Sequence, residues 1–288
     1  MSTSTISSIL LATAFALAGC GGGGGGGGVV SLPPPPVTPA PTPTPTPTII
    51  PAATTSQQFT AMGASHVWEG GQPLLGAGDQ LQVRYVQSSN SYEVQLPHSQ
   101  TWETVHPSAA NSTIFEGAVG LTIRQPGYQY SNVLSWSDGA SYYGYEAVGV
   151  ATPADDVPVI GTASYSGNFW GQSSETYLKL PVTIYGGVDL SFDFGKGSLS
   201  GRVLPSLFYQ ATYDDYTLSP VNLRDTVYST GSTSFSGRFD TNLPGVNSFS
   251  GLFTGPNAQE LIGNFALPYQ SPMDGQTYQS DGAFDAKK

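Results

Sequence analysis

Three histidines, His66, His98 and His106, are the only imidazoles in the chain. His98 and His106 flank Trp102 and Glu103, and imidazole with carboxylate is a donor set that suits zinc and similar ions. Nothing in the spacing fixes such a geometry, so no metal site is expected. Two carboxylate pairs, Asp155-Asp156 and Asp214-Asp215, are adjacent in sequence. On a strand, adjacent residues point to opposite faces, whereas paired acid/base catalysis needs two carboxylates converging on one bond. Turn and loop positions are the better expectation for these four. The chain has no G-x-S-x-G elbow, no Walker loop and no second cysteine, so neither an enzyme nor a cofactor is expected. For recognition the candidates are Tyr142, Tyr143 and Tyr145, and the segment Tyr209 to Tyr216 (YQATYDDY), which holds Tyr213 and Tyr216. Tyrosine offers large, rigid area and one polar tip at low entropic cost. The plainer reading is that the sixteen tyrosines fill a glycine-rich sheet protein.

The single thiol, Cys20, has a different setting. Residues Ile9 to Ala18 form an apolar run of ten, too short to cross a bilayer, and small residues follow it. Leu17-Ala18-Gly19-Cys20 resembles the lipobox of bacterial lipoproteins, in which a peptidase cuts before a cysteine whose thiol receives diacylglycerol. This predicts an export signal over residues 1–19, although Met1 to Ser8 lacks the usual Lys or Arg. With Cys20 lipidated, no disulfide can form and stability must come from packing. Gly21 follows the cysteine, and by the same resemblance this implies the outer membrane, with the protein facing the cell exterior. Eight glycines (21 to 28) and a stretch with nine prolines and five threonines (33 to 48) come next. They are expected to be a coil of roughly 15 Å and a polyproline-II spacer of about 50 Å, together a disordered tether over residues 20–56. An SH3-type ligand is the alternative reading of the Pro-rich part.

The remainder must supply the fold. All 29 charged residues lie from Glu69 onward, and 32 of 33 aromatics lie after Thr55. Charged residues make up 10 % of the chain, against a usual share of about 25 %. No segment carries a helical repeat, so the expectation is an all-β protein. A formal charge of −11 with no Lys/Arg cluster excludes nucleic-acid binding. Alternation in LQVRYV and YEVQL around QSSN predicts a hairpin, and further strands are expected at Thr113 to Ile123 and Tyr142 to Val150. The prolines of TPADDVP interrupt any ladder and mark the expected boundary between domains at 57–157 and 158–288.

Beyond that boundary a large apolar residue, x, Gly, x, large apolar pattern occurs five times, centred on Gly167, Gly201, Gly237, Gly251 and Gly263. A mid-strand glycine weakens a strand, so its repetition on one face calls for a reason. A small, strongly curved barrel supplies one, since its interior takes large side chains while its backbone bends. A membrane-spanning barrel would need an apolar outer face and an aromatic girdle, which the intervening residues do not provide.

Residues Phe249 to Leu267 (FSGLFTGPNAQELIGNFAL) resemble the signature of the transferrin-binding protein B family of surface lipoproteins. GVATPADDVPVIGTASYSGNFWG (Gly149 to Gly171) and VDLSFDFGKGSLSGRV (Val188 to Val203) are similar to that family's barrel entry and second hairpin. The resemblance implies one lobe: an antiparallel handle sheet followed by an eight-stranded barrel, where the transferrin receptor has two lobes. It implies a lipoprotein that binds a solute or protein ligand in nutrient or metal capture, with a TonB-dependent receptor or a surface-lipoprotein assembly factor as possible partner. A structural or adhesive surface protein is the alternative. Gly255-Pro256-Asn257-Ala258 reads as a turn, and Glu260 as a structural carboxylate accepting backbone N–H bonds across it, with ligand contact as the other role. If Cys20 is the anchor, metabolic labelling with an alkynyl fatty acid marks the wild type and leaves Cys20→Ala unlabelled; equal labelling of both would remove the anchor.

Overall fold

Period-2 alternation of apolar and polar residues governs both halves of the chain. The structure, a computed structural model, describes residues 48–76 and 80–288; Cys20, the export signal and most of the expected tether lie outside it. Ten strands form the first sheet: β1 (Gln57–Gln58), β2 (Thr60–Glu69), β3 (Gln72–Leu74), β4 (Gln82–Val86), β5 (Ser91–Gln95), β6 (Glu103–Pro107), β7 (Ile114–Glu116), β8 (Gly120–Ile123), β9 (Ser131–Ser137) and β10 (Tyr142–Gly149). Nine form the second: β11 (Thr162–Tyr177), β12 (Leu180–Asp193), β13 (Ser198–Tyr209), β14 (Asp214–Thr217), β15 (Val221–Val227), β16 (Ser234–Phe239), β17 (Ser248–Thr254), β18 (Glu260–Gln270) and β19 (Thr277–Lys287). Two single 3₁₀ turns, Ala154–Asp156 and Pro256–Ala258, are the helical elements among the described residues. The protein is all-β and antiparallel throughout its named ladders.

In the first sheet, the handle, β4 and β5 form the expected hairpin, with Val83 opposite Val94 and Tyr85 opposite Tyr92. These four side chains are buried together, and Asn90 supplies the left-handed residue of the turn (φ 48°). The sheet curls so far that Gln57–Gln58 pairs with β4 while Thr60 onward pairs with β10. Two expectations need correction. The stretch Thr113 to Ile123 is not one strand but the hairpin β7–β8, because the chain bends at Gly117, where a Cβ would sit 2.7 Å from the Thr104 carbonyl oxygen. The tether does not run to residue 56 either: Ile49 and Ile50 are fully buried in the handle core, and the Ala52 N–H donates to the Gln129 carbonyl. Two adjacent isoleucines outweigh the polar character of the flanking residues, since each buried side chain contributes about 1.5–3 kcal/mol.

In the second sheet the ring runs β11-β12-β13-β15-β16-β17-β18-β19 and closes by pairing β19 with β11, which makes eight strands. β14 stands outside the ring, paired only with the end of β13. That leaves β13 and β15 joined through two residue pairs, Arg202–Asn222 and Val203–Val221. All ten large residues of the five glycine patterns face inward and are buried. They join Phe192, Phe194 and Tyr228 in a packed aromatic interior, with Phe192 and Phe253 edge to face at 4.9 Å.

The glycines have a more local reason than curvature. Gly237 lies opposite Phe249, Gly251 opposite Phe235, and Gly263 opposite Phe284 on the neighbouring strand. Each ring lies over the bare backbone of its glycine partner: a Cβ on Gly251 would meet Phe235 Cζ at 2.3 Å, and one on Gly263 would meet Phe284 Cζ at 2.1 Å. Aromatic residues seated on cross-strand glycines fill the interior without overfilling it. Gly251→Ala and Gly263→Ala should each cost about 1–3 kcal/mol by overpacking, whereas Ser200→Ala on the exposed face should stay within about 0.5 kcal/mol; thermal denaturation of the three variants measures the contrast.

Candidate ligand-binding site

Handle and barrel meet across a small apolar patch of Val133, Ala147, Ile262 and Ala283, ringed by Met62, Tyr145, Trp170 and Leu252. Polar ties surround it. The segment leading into β9 has backbone N–H groups that no handle strand pairs, and barrel carboxylates take them. Glu260 Oε1 accepts from the Gln129 N–H at 2.7 Å; Oε2 accepts from the Tyr130 N–H at 2.9 Å and the Ser131 hydroxyl at 2.8 Å. Asp285 Oδ2 accepts from the Val133 N–H at 3.0 Å. His66 Nε2 lies 2.6 Å from Asp281 Oδ1, and Asn168 bonds Gln125. Glu260 thus reaches across to the handle and not across its own turn.

That turn is a node of its own. Gly255 (φ 71°) passes beneath the Tyr130 ring, where a Cβ would sit 2.4 Å from Cδ2, so only glycine fits. Pro256 opens the 3₁₀ turn, and Asn257 and Ala258 are left-handed, both at φ 53°. The Gly255 carbonyl accepts from the Thr152 hydroxyl, the Asn257 carbonyl from Lys288 Nζ, and the Ala258 carbonyl from the Tyr165 hydroxyl, each at 2.6 Å. Asp156 accepts from the Asn257 N–H at 3.4 Å.

Beside the junction a cleft of about 550 Å³ opens between the halves, lined by Arg124 and Tyr145 from the handle and by Trp170, Thr183, Tyr185, Phe208, Gln210, Tyr213 and Asp215 from the barrel. The Arg124 guanidinium sits 4.1 Å over the Trp170 ring, and Trp170 stacks on Tyr185 at 5.2 Å with 16° between planes. The Tyr185 hydroxyl donates to Asp215 Oδ1 at 2.7 Å. Tyr213 is 80 % exposed, with φ 61°, and meets Phe208 edge on. An aromatic residue held at positive φ and mostly turned into solvent is a costly arrangement, offset here by the edge contact with Phe208.

The tyrosine candidates therefore separate. Tyr145 and Tyr213 line one cleft; Tyr142 stacks on His98 at 4.0 Å; Tyr143 packs against His66 at 5.2 Å; Tyr216 lies edge on to Tyr209 inside the barrel rim. Burial pushes the Tyr143 phenol well above its ordinary range. His106 pairs across strands with Glu116, and no group of three metal-binding side chains gathers among the described residues. Asp155 and Asp156 lie in the 3₁₀ turn, and Asp214 and Asp215 in β14. Arg124, Trp170, Tyr185 and Phe208 escaped the sequence reading. A usable signal was present: Trp170, Tyr185 and Phe208 each follow or precede an inward apolar residue, so the alternation puts three rings on the outer face of the barrel.

Residues 157–288 match the family model for the C-lobe and N-lobe β-barrels of transferrin-binding protein B. The match covers 132 of the chain's 288 residues, and the barrel is similar to that family. Solved structures of transferrin-binding protein B from Haemophilus parasuis and from Neisseria meningitidis are both 16 % identical and cover 79 % of this chain, with TM-scores of 0.45 and 0.48. The chain spans under half of their length, 44 % and 43 %. HpuA from Kingella denitrificans, solved with human haemoglobin, is 14 % identical over 80 % of this chain and 87 % of its own, with a TM-score of 0.37. No curated protein matches the sequence. The transferrin-binding-protein-B-like relatives are binding proteins and not enzymes.

In the barrel, burial pushes the Asp285 carboxyl up from 3.8 to about 8. Between those values the folded protein holds a proton that the unfolded chain has released, so stability falls as pH rises through the window. Burial pushes the Glu146 carboxyl upward as well, with the same sign. Melting temperature should therefore fall from pH 5 to pH 8 by a larger margin in the wild type than in Asp285→Asn, whose amide cannot titrate.

Proposed function

We propose that this is a lipid-anchored, outer-membrane surface protein that binds a solute or protein ligand without catalysis, using the cleft between handle and barrel. The observation that carries the reading is the convergence of rings from both halves on that cleft, Tyr145 from the handle and Trp170, Tyr185, Phe208 and Tyr213 from the barrel. Buried polar ties hold the halves together, so the cleft is preformed and little is lost to ordering on binding. Its volume lies in the usual range of about 300–1,000 Å³ for ligand sites.

The barrel family supports a binding role, and the structures it resembles are named for transferrin and haemoglobin binding. Nutrient or metal capture is the biological setting we propose, with a TonB-dependent receptor or a surface-lipoprotein assembly factor as partner. Surface-displayed protein should bind at least one of transferrin, haemoglobin or a small-solute panel saturably. Tyr213→Ala should weaken that binding about tenfold, the scale of an aromatic hot spot, without shifting the thermal midpoint. Absence of saturable binding, or an affinity indifferent to Tyr213, would refute the reading.

A further inference from the structure

The polar groups of the cleft are unevenly satisfied. Its carboxylate, Asp215, already accepts the Tyr185 hydroxyl. Arg124 Nε and the Trp170 indole N–H have no hydrogen-bond partner but are shielded from solvent, so a ligand in the cleft meets Arg124 through the rest of its guanidinium. Arg124 also lies in none of the ion pairs formed among the described residues, unlike Arg84, Arg202 and Arg224. The unmet demand is for an acceptor, and a charged one.

The cleft's surfaces are flat. Arg124, Trp170 and Tyr185 form one continuous stack, and Phe208 and Tyr213 face it as an edge-on pair at 6.2 Å. Planar walls favour a planar body over a branched aliphatic one, because stacked rings gain affinity beyond the area they bury. We infer that the cleft binds a planar aromatic acid, its carboxylate or equivalent oxyanion at the Arg124 guanidinium and its ring along Tyr185, Phe208 and Tyr213. This rests on the binding reading above and narrows it to a ligand class. The chain's formal charge of −11 opposes anions in general, so selectivity for one here has to be local to Arg124.

Three isosteric probes, 2-naphthoate, 2-naphthylmethanol and 2-naphthylmethylammonium, isolate the charge. In calorimetric titrations of the full chain at about 0.15 M salt, 2-naphthoate should bind one to one and about tenfold tighter than the alcohol, with the ammonium weakest. Arg124→Gln should erase the advantage of the acid, and Tyr213→Ala should weaken acid and alcohol alike by about threefold or more. If Arg124→Gln fails to fold, the charge ranking on the wild type and the Tyr213→Ala result still decide. Failure of 2-naphthoate to bind, a ranking blind to charge, or an acid preference that survives Arg124→Gln would overturn the inference. A chain that ignores 2-naphthoate yet binds a protein through Tyr213 would overturn the ligand class and leave the binding reading standing.

Discussion

The arrangement depends on barrel carboxylates buried against unpaired backbone N–H groups of the handle. Gln129 and Tyr130, just before β9, and Val133 within it have N–H groups that need an acceptor where they are covered by the barrel. Glu260 accepts three donors there and Asp285 a fourth. Hydrogen bonds contribute about 0.5–1.5 kcal/mol each, and losing one partner leaves the other buried and unpaired. The direction of dependence is asymmetric. The ring and aromatic interior of the barrel are complete in themselves, whereas the N–H groups of Gln129, Tyr130 and Val133 find their acceptors only on the barrel. The cleft exists because this seam is fixed.

A second constraint operates inside the barrel. Eight short-radius strands enclose a narrow interior, yet the sequence fills it with phenylalanine and tyrosine. The conflict is resolved in register: rings sit opposite glycines, as Phe235 does on Gly251 and Phe284 on Gly263. Curvature and packing are thus met by the same residue choice, and neither alone explains the repeat.

Much of this architecture was legible in the sequence because period-2 patterns report burial directly. The β4–β5 hairpin, the inward faces of the glycine patterns and the all-β class follow from alternation alone. What escaped has physical causes. Ile49 and Ile50 stand next to a Pro/Thr stretch, and composition averaged over a window conceals a two-residue anchor. The β7–β8 bend depends on Gly117 approaching a strand distant in sequence. The cleft draws Arg124 from one sheet and Trp170, Tyr185 and Phe208 from the other, and no pattern within a segment reports a contact between segments. Glu260 was expected to accept bonds across its own turn, whereas its partners, about 130 residues upstream, could come only from the fold.

The buried pair Ile49 and Ile50 has a mechanical meaning. They are where the described chain leaves whatever precedes it, and they are set in the handle core while the cleft lies at the handle–barrel seam. A pull on the preceding segment is received by the handle, and a pull on a molecule held in the cleft is shared between handle and barrel. Force between the two therefore crosses the handle sheet and the carboxylate ties, leaving the two-pair joint between β13 and β15 outside its line. The weakest joint of the ring is the one such tension need not test.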